Sequence, residues 1–510
     1  MSHYSLGVDI GTTSTKAVLF NETGEHIHQA TVEYPLLTSE PKAAEQDPDE
    51  IVEAVKLAIK AIVDYLSADI SHLTVVSFSA AMHSVLAVDA KGKPLTASIT
   101  WADQRAEAYA KQLREGNGQA IYEKTGTPIH PMSPLVKLLW LKEEKASIFE
   151  KAHRFVGIKE YVFFHLFGEW VVDHSIASAT GLFNMYTMDW DEEALELAGI
   201  QSSQLSRLVP TTEIFTKMKK ERAQELGLPP SIPVVIGAND GCLANLGVNA
   251  IQPGVVAVTI GTSGAIRTVS DKPVSDSKGR IFSYALTENH WVIGGPVNSG
   301  GMILRWLRDE LCQEEVQEAE LTGEDPYHLI TKKIAEVKAG SEGLLFHPYL
   351  AGERAPSWNA NARGSFFGLA LQHKREHMMR AVLEGINMNM YMVFLALEEL
   401  IGIPDKIHAT GGFAQSDVWR QMLADIFNQE VHVSQTVESS CLGAVVLGRY
   451  AIGELSDLSD VKDMVSIKEV STPDKELVTI YQELMPLYIR LSRLFEKEYE
   501  AITDFQQTYK

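Results

Sequence analysis

A chain of 510 residues with 45% apolar and 22% charged content is too long for one core and too ordinary for a disordered or fibrous protein, so two domains of roughly 250 residues each are expected. The formal charge of −22 argues against nucleic acid or an anionic membrane surface as a partner, while leaving room for a locally basic pocket that takes a small anion. The start, MSHYSLGVD, has no secretory pattern and no apolar run reaches the ~20 residues of a membrane helix; three scattered cysteines, Cys242, Cys312 and Cys441, suit a reducing cytoplasm better than a disulfide framework.

In chain order, a strand over Leu6 to Asp9 meets a small-residue turn, Gly11-Thr12-Thr13, a second strand from Ala17 to Phe20, and a third, HIHQATVEY. Asp47, Pro48 and Glu50 then predict a helix start with Asp47 as N-cap, and Ile51, Val55, Ala58, Ile59 and Val63 give that helix one apolar face. Asp240 follows an apolar strand, Val234 to Ile236, and opens a small-residue helix. The opening pattern recurs about half a chain later: strand Val255 to Ile260, turn Gly261-Thr262-Ser263-Gly264, strand Ile266 to Val269, and RIFSYAL as the third strand. Such a repeat marks equivalent elements of two duplicated domains, with the boundary near 247/248. Further on, SGGMILRWLRDEL and the deeply apolar EHMMRAVLEGINMNMYMVFLALEEL read as helices, KIHATGGFAQSDVWRQMLADIF as strand, glycine turn and helix, and Asp474 to Gln506 as a long amphipathic helical stretch.

Turns rich in Gly, Thr and Ser offer backbone N–H groups and hydroxyls to phosphate oxygens, and two of them in a duplicated chain suggest a triphosphate bound with one loop from each domain. Asp9, beside the first loop, is suited to a hydrated Mg²⁺ on such a phosphate; its counterpart is Thr259. Asp240 has two readings, the N-cap of its helix or a carboxylate that takes a proton from an attacking hydroxyl. Trp101 reads equally as core packing or as a site residue, Arg105 as a structural partner of Asp103 or as a ligand, and Arg354 as a residue that fixes a loop or an interface.

The repeat resembles the superfamily of sugar kinases, actin and Hsp70, whose members bind ATP between two ribonuclease H-like domains. MSPLVKLLWLKEE (Met132 to Glu144) and GSFFGLALQHKREHMMRAVLE (Gly364 to Glu384) resemble the two signature segments of the FGGY family of carbohydrate kinases, and HPYLAGERAPSWNANARGSFFG and ATGGFAQSDVWRQMLADIF are likewise similar to family segments. The likeness spans essentially the whole chain. It implies an α/β fold of two duplicated ribonuclease H-like, actin-like ATPase domains with an interdomain cleft: residues 1–247 with the sugar site and first phosphate loop, and 248–510 with the nucleotide. Carried over by position, Gly11, Thr12, Thr13, Ser14 and Lys16 would contact phosphates. Gly261, Thr262, Gly301 and Arg305 would line the ATP cleft, with Gly412 and Ser416 near adenosine. Met82, His83, Asp103 and Arg105 would hold the sugar, Asp240 would be the catalytic base, and Asp9 would serve Mg²⁺. Met82-His83 replaces the Arg-Glu of glycerol kinases and argues against glycerol; Lys16 replaces an Arg and gives up bidentate phosphate geometry.

Within the family, SAAMHSVLAVD, TWADQRAEA, TGTPIHPMSPL, GIKEY and YALTENHWVIGGPVNSGG are similar to the kinases of gluconate, with the kinases of xylulose next. A sugar acid needs cationic or N–H donors for its carboxylate, and His83, Arg105, His130 and Lys159 are the candidates. The expected reaction is transfer from ATP to the terminal hydroxyl of gluconate. An ATP-switched, actin-like binding protein is the remote alternative, and a homodimer is left open.

Overall fold

The fold was analysed in a computed structural model that describes residues 3–435 and 438–509. Leu6, Val8 and Ile10 on one strand and Ala17, Val18 and Leu19 on the next are fully buried, so both faces of these strands are covered, and β1 (Tyr4–Ile10) pairs with β2 (Ser14–Asn21) as an antiparallel hairpin across the Gly11–Thr13 turn. β3 (His26–Glu33) adds to β2. Helix α1 (Pro48–Leu66) starts where predicted: the Asp47 carboxylate accepts from the N–H groups of Asp49 (2.9 Å) and Glu50 (3.3 Å), and Ile51, Val55, Ala58, Ile59 and Val63 are buried. β4 (Leu73–Ala80), β5 (Ile214–Phe215) and β6 (Val234–Asn239) complete a mixed sheet in the order β5-β6-β4-β1-β2-β3, with β4 parallel to β1 and β6 parallel to β4. Helix α2 (Asp240–Gly247) leaves directly from the end of β6.

The same plan recurs in the second half. β7 (Val255–Ile260) and β8 (Gly264–Ser270) form the duplicate hairpin, and the strand beside β8 is β9 (His290–Val297). RIFSYAL does form a strand, Phe282–Thr287, yet it is not the neighbour of β8 that the repeat predicted. Helices α3 (Gly301–Leu311), α4 (Pro326–Glu336) and α5 (Arg375–Ile401) follow. Every residue of α5 from Met379 to Met390 is buried, which is why its sequence is apolar around most of its surface. β10 (Lys406–Thr410), α6 (Asp417–Phe427), β11 (Val431–Ser434) and β12 (Ile467–Ser471) extend the sheet as β9-β8-β7-β10-β11-β12, with β10 parallel to both β7 and β11. The amphipathic tail is two helices, α7 (Lys475–Phe495) and α8 (Tyr499–Thr508), separated by a 3-10 turn. Among the described residues no helix is long and apolar enough to cross a membrane.

The chain divides into two units that are not continuous in sequence. The first is Met1–Gln252, Val269–Ile293 and Glu438–Ser466; the second is Pro253–Thr268, Gly294–Val437 and Ile467–Lys510. The expected cut at 247/248 thus lies near the first crossing, but two later segments belong to the first unit. Glycine explains one of them. The helix Ser439–Ala451 packs on β1, β4 and α2 so closely that a Cβ on Gly7 would lie 2.4 Å from the carbonyl oxygen of Cys441, and one on Gly443 would lie 2.0 Å from that of Leu243.

Candidate active site

In the first unit the β1–β2 turn is clamped from several sides. Gly11 N–H donates to Ser14 O (2.9 Å), the Tyr34 hydroxyl to Gly11 O (2.8 Å) and the Gln46 amide to Thr12 O (2.6 Å). Trp101 Nε1 donates to the Thr12 hydroxyl at 2.9 Å, so Trp101 fixes this loop rather than only filling the core. Thr13 is exposed and Ser14 partly so. Asp9, at the end of β1, accepts from the hydroxyls of Ser79 (2.6 Å) and Ser440 (3.1 Å). Burial outweighs these bonds and pushes its carboxyl above the usual range. Lys16 lies opposite Asp9 in the β1–β2 register, but its ammonium is paired with both oxygens of Glu438, at 2.8 and 2.9 Å. Burial opposes the Lys16 charge, and Glu438 more than restores it.

Asp240 is the first residue of α2. The cap belongs to its neighbour: the Asn239 side chain accepts from Cys242 N–H (2.8 Å) and donates to Ser175 Oγ (2.8 Å). Asp240 is therefore not the N-cap. Its Oδ1 accepts from Gly241 N–H at 2.7 Å, and the residue is partly accessible. Beneath this strand end, Lys159 is buried and ion-paired with buried Asp173 at 2.6 Å, and it donates to Ile236 O (3.2 Å) and Ala238 O (3.1 Å) of β6. Burial lowers the Lys159 pKa against the pull of Asp173, with Asp240 among the charges acting on it. Burial likewise raises the adjacent Glu160 to about 7, against hydrogen bonds from Ser206 and the Gly157 N–H.

Of the expected sugar residues, His83 is buried and holds a left-handed backbone, φ 70°. For a non-glycine residue that conformation is costly and persists only when its surroundings enforce it. Two bonds do so: buried Lys137 donates to His83 O at 2.6 Å, and His83 Nδ1 donates to Ala179 O at 2.7 Å. Met82 beside it is partly buried against the core. Burial lowers Lys137 to about 7.

Arg105 pairs with Asp103 (2.7 Å), Glu40 (2.7 Å) and Glu45 (2.5 Å) and lies over the Trp140 ring at 4.5 Å. Burial opposes its charge, but the three carboxylates outweigh it and raise the pKa. Asp103 also accepts from Ala44 N–H. The two cations proposed for a substrate carboxylate, Arg105 and Lys159, are thus both neutralised inside the unit. In His130, Met132 N–H donates to Nδ1 at 3.1 Å, so the proton of the neutral ring sits on Nε2.

The second unit holds a cavity of about 800 Å³ lined by Gly261, Thr262, Gly301, Arg305, Gly412 and Ser416. These are the six residues of this half that the family resemblance assigned to the nucleotide. The β7–β8 loop is seated on the start of α3, with Gly301 N–H donating to Gly261 O (2.7 Å) and Met302 N–H to Thr262 O (3.0 Å). Only glycines allow that approach, because a Cβ on Gly300 would lie 2.6 Å from the Ser263 carbonyl carbon. Tyr327, His328 and Thr331 of α4, with Phe413 and Val418, are among the other residues that line the cavity, and sequence reasoning does not find them. Arg354 proves to fix a loop, donating to Asn298 Oδ1 (2.8 Å) and Val297 O (3.1 Å).

The chain is 54% identical over 509 residues, 99% of each chain, to the gluconokinase of Bacillus subtilis (strain 168). Two solved structures from Lactobacillus acidophilus, titled as a gluconate kinase and a ligand-bound xylulose kinase, each match with a TM-score of 0.93 at 38% identity, covering 98% of this chain and 100% of theirs. The family models for the N-terminal and C-terminal domains of the FGGY family of carbohydrate kinases match residues 4–247 and 256–452, and the chain belongs to that family.

Proposed function

We propose that the protein transfers the γ-phosphoryl group of ATP to the terminal primary hydroxyl of D-gluconate, giving 6-phospho-D-gluconate and ADP. The observation that carries the kinase reading is the cavity of the second unit, whose lining unites residues from the β7–β8 loop, α3 and the turn before α6. Its apolar and aromatic walls suit a base, and its glycine and hydroxyl edge suits phosphates. The preference for gluconate rests on likeness along the whole chain, 54% to a gluconokinase against 27–31% to curated xylulose kinases.

In this reading Asp240 orients the acceptor hydroxyl and takes its proton. The Asn239 cap and the Lys159–Asp173 pair hold the strand end from which Asp240 projects. Thr12, Thr13, Ser14 and Lys16 take phosphate oxygens, which requires Lys16 to leave Glu438. Because the transition state of phosphoryl transfer is loose, placement and charge matter more than base strength.

The donor set fits Mg²⁺ held through one carboxylate, phosphate oxygens and water: Asp9 is a partly buried carboxylate whose neighbouring lysine is paired with Glu438, and no cluster of three acidic, His or Cys side chains that could cage a metal occurs among the described residues. When bound there, Mg²⁺ neutralises phosphate charge. With Arg105 and Lys159 committed to internal carboxylates, His130 and His83 remain the candidates for the sugar carboxylate. Three buried, free cysteines accord with work in the cytoplasm.

A coupled ADP-release assay over gluconate, xylulose, ribulose, glycerol and fuculose tests the proposal. Turnover strongly favouring gluconate is expected; turnover of xylulose without gluconate would overturn the substrate, and ATP consumption independent of any sugar would overturn the reaction.

A further inference from the structure

A second cavity, of about 460 Å³, lies within the first unit and is lined by Arg154, Trp170, Asp189, Trp190 and Ser203 among others. It shares no residue with those assigned to the sugar, the phosphates or the metal. Trp170 is fixed by stacking on Phe164, with centroids 4.0 Å apart and planes 4° from parallel, and Trp190 stands at 88° to buried Phe183, 6.4 Å away. Both indoles are partly buried, and among the described residues neither indole N–H has a hydrogen-bond partner. The frame behind them is already built: the strands Val171–Asp173 and Arg207–Val209 pair directly after Trp170 and Ser206, and the Ser206 hydroxyl donates to buried Glu160. The polar groups of the cavity carry both signs. Arg154 uses one terminal nitrogen on Ser203 O (2.7 Å) and Leu205 O (2.6 Å), which leaves Nε–H and the other terminal nitrogen to donate; Asp189 accepts from Trp190 N–H (2.7 Å) with one oxygen and keeps the other. Among the described residues neither side chain is in an ion pair, whereas Arg207, also in the lining, is paired with Glu169 at 3.1 Å.

We propose that this cavity is a second sugar site, which takes a neutral pyranose or its glycoside and is separate from the site of the phosphorylated substrate. An indole offers an apolar face and a single N–H donor, which matches the C–H face and the hydroxyl rim of a sugar ring. Each sugar hydroxyl both donates and accepts, so one ring can accept from the Arg154 guanidinium and donate to the Asp189 carboxylate. A sugar acid gains little here, because its carboxylate meets Asp189 as well as Arg154. A free amino acid would answer the two charges but leave the indoles with little to cover. Fixed rings and paired strands lower the cost of ordering the site on binding, and its volume lies in the range of small-molecule sites.

Isothermal titration of glucose and of maltose into the full-length protein, with and without saturating gluconate, tests this, and the unfolding temperature checks that each variant is folded. One site of millimolar affinity is expected in both conditions. Asp189→Asn should weaken it about tenfold, and Trp190→Ala should remove the heat of binding, while both variants keep the wild-type KM for gluconate. Four results would each overturn the proposal: no binding of either sugar, binding that vanishes when gluconate is present, binding untouched by both substitutions, or free alanine bound more tightly than glucose and maltose.

Discussion

Asp240→Asn separates the chemistry of Asp240 from its place in the fold. The substitution keeps the shape and the acceptor for Gly241 N–H, and the helix cap is untouched because Asn239 supplies it. The structural loss is confined to the interaction of a carboxylate with a helix N-terminus, about 0.3–1 kcal/mol, so thermal unfolding should move by only a few degrees. The catalytic loss is larger: without a proton acceptor at the hydroxyl, turnover should fall about 10²-fold or more, equivalent to about 2.7 kcal/mol or more in the barrier, with KM for ATP near its normal value. Steady-state ADP release at saturating gluconate, beside calorimetric unfolding of the same preparation, gives both numbers. Asn239→Ala is the converse control. It removes the cap and the bond to Ser175, should cost about 1–2 kcal/mol of stability, and leaves the carboxylate in place. Near-normal turnover in Asp240→Asn would remove Asp240 from the role of base, and a loss of stability matching the loss of turnover would make it structural.

Two other side chains give sharp expectations. Lys137 titrates near 7 in the fold against 10.5 for a free lysine, so between those values the unfolded chain binds a proton that the folded chain lacks. Stability should therefore climb with pH across that window, by about 1.4 kcal/mol per unit from this group, with its penalty fully present below pH 7. Lys137→Met should remove this contribution, and urea unfolding of the two proteins between pH 7.5 and 9 showing equal slopes would sink the idea. Under the proposed phosphate role, Lys16→Met takes a cation from beside the first loop; KM for ATP should rise about tenfold while KM for gluconate stays unchanged, and the opposite split would place Lys16 on the sugar side.

Local chemistry was legible from the sequence, and distant partners were not. Asp47 announces its cap because the bonds it makes lie two and three residues away, and Gly261, Thr262, Gly412 and Ser416 sit in small-residue turns that suit a nucleotide. Tyr327 and Phe413 escaped notice because aromatic residues on a helix or after a turn look like packing until the cavity is seen. Arg105 reads either as a structural partner of Asp103 or as a substrate ligand, and Lys159 as a substrate ligand, because each stands in a promising motif. Their charges are spent on Glu40, Glu45, Asp103 and Asp173; Asp103 lies two residues from Arg105 and that pairing is legible, whereas Glu40 and Glu45 meet Arg105 only when the chain folds. The assignment of Glu438–Ser466 to the first unit was hidden for the same reason, since the approach of Gly443 to Leu243 has no local signature.

Duplication and divergence meet at Asp9 and Thr259. Asp9 stands opposite Lys16 on the antiparallel strand and beside Ser79 on the parallel one; Thr259 stands opposite Ala265 and beside Thr410. Both copies keep a hydroxyl bond across the parallel strands, Ser79 to Asp9 at 2.6 Å and Thr259 with Thr410 at 3.0 Å. What differs is the charge, and it differs as a set: the first copy has a carboxylate, its cross-strand lysine and the Glu438 that holds that lysine, while the second is neutral at both positions. A hydroxyl pair satisfies itself, so the second loop can rest against a nucleotide without a counterion. Burial holds the Asp9 carboxylate above its ordinary pKa despite two hydroxyl donors, so any cation brought beside it would favour its ionised form. The repeat therefore supplies two similar turns, and the substitution at one strand end leaves a carboxylate beside the first alone.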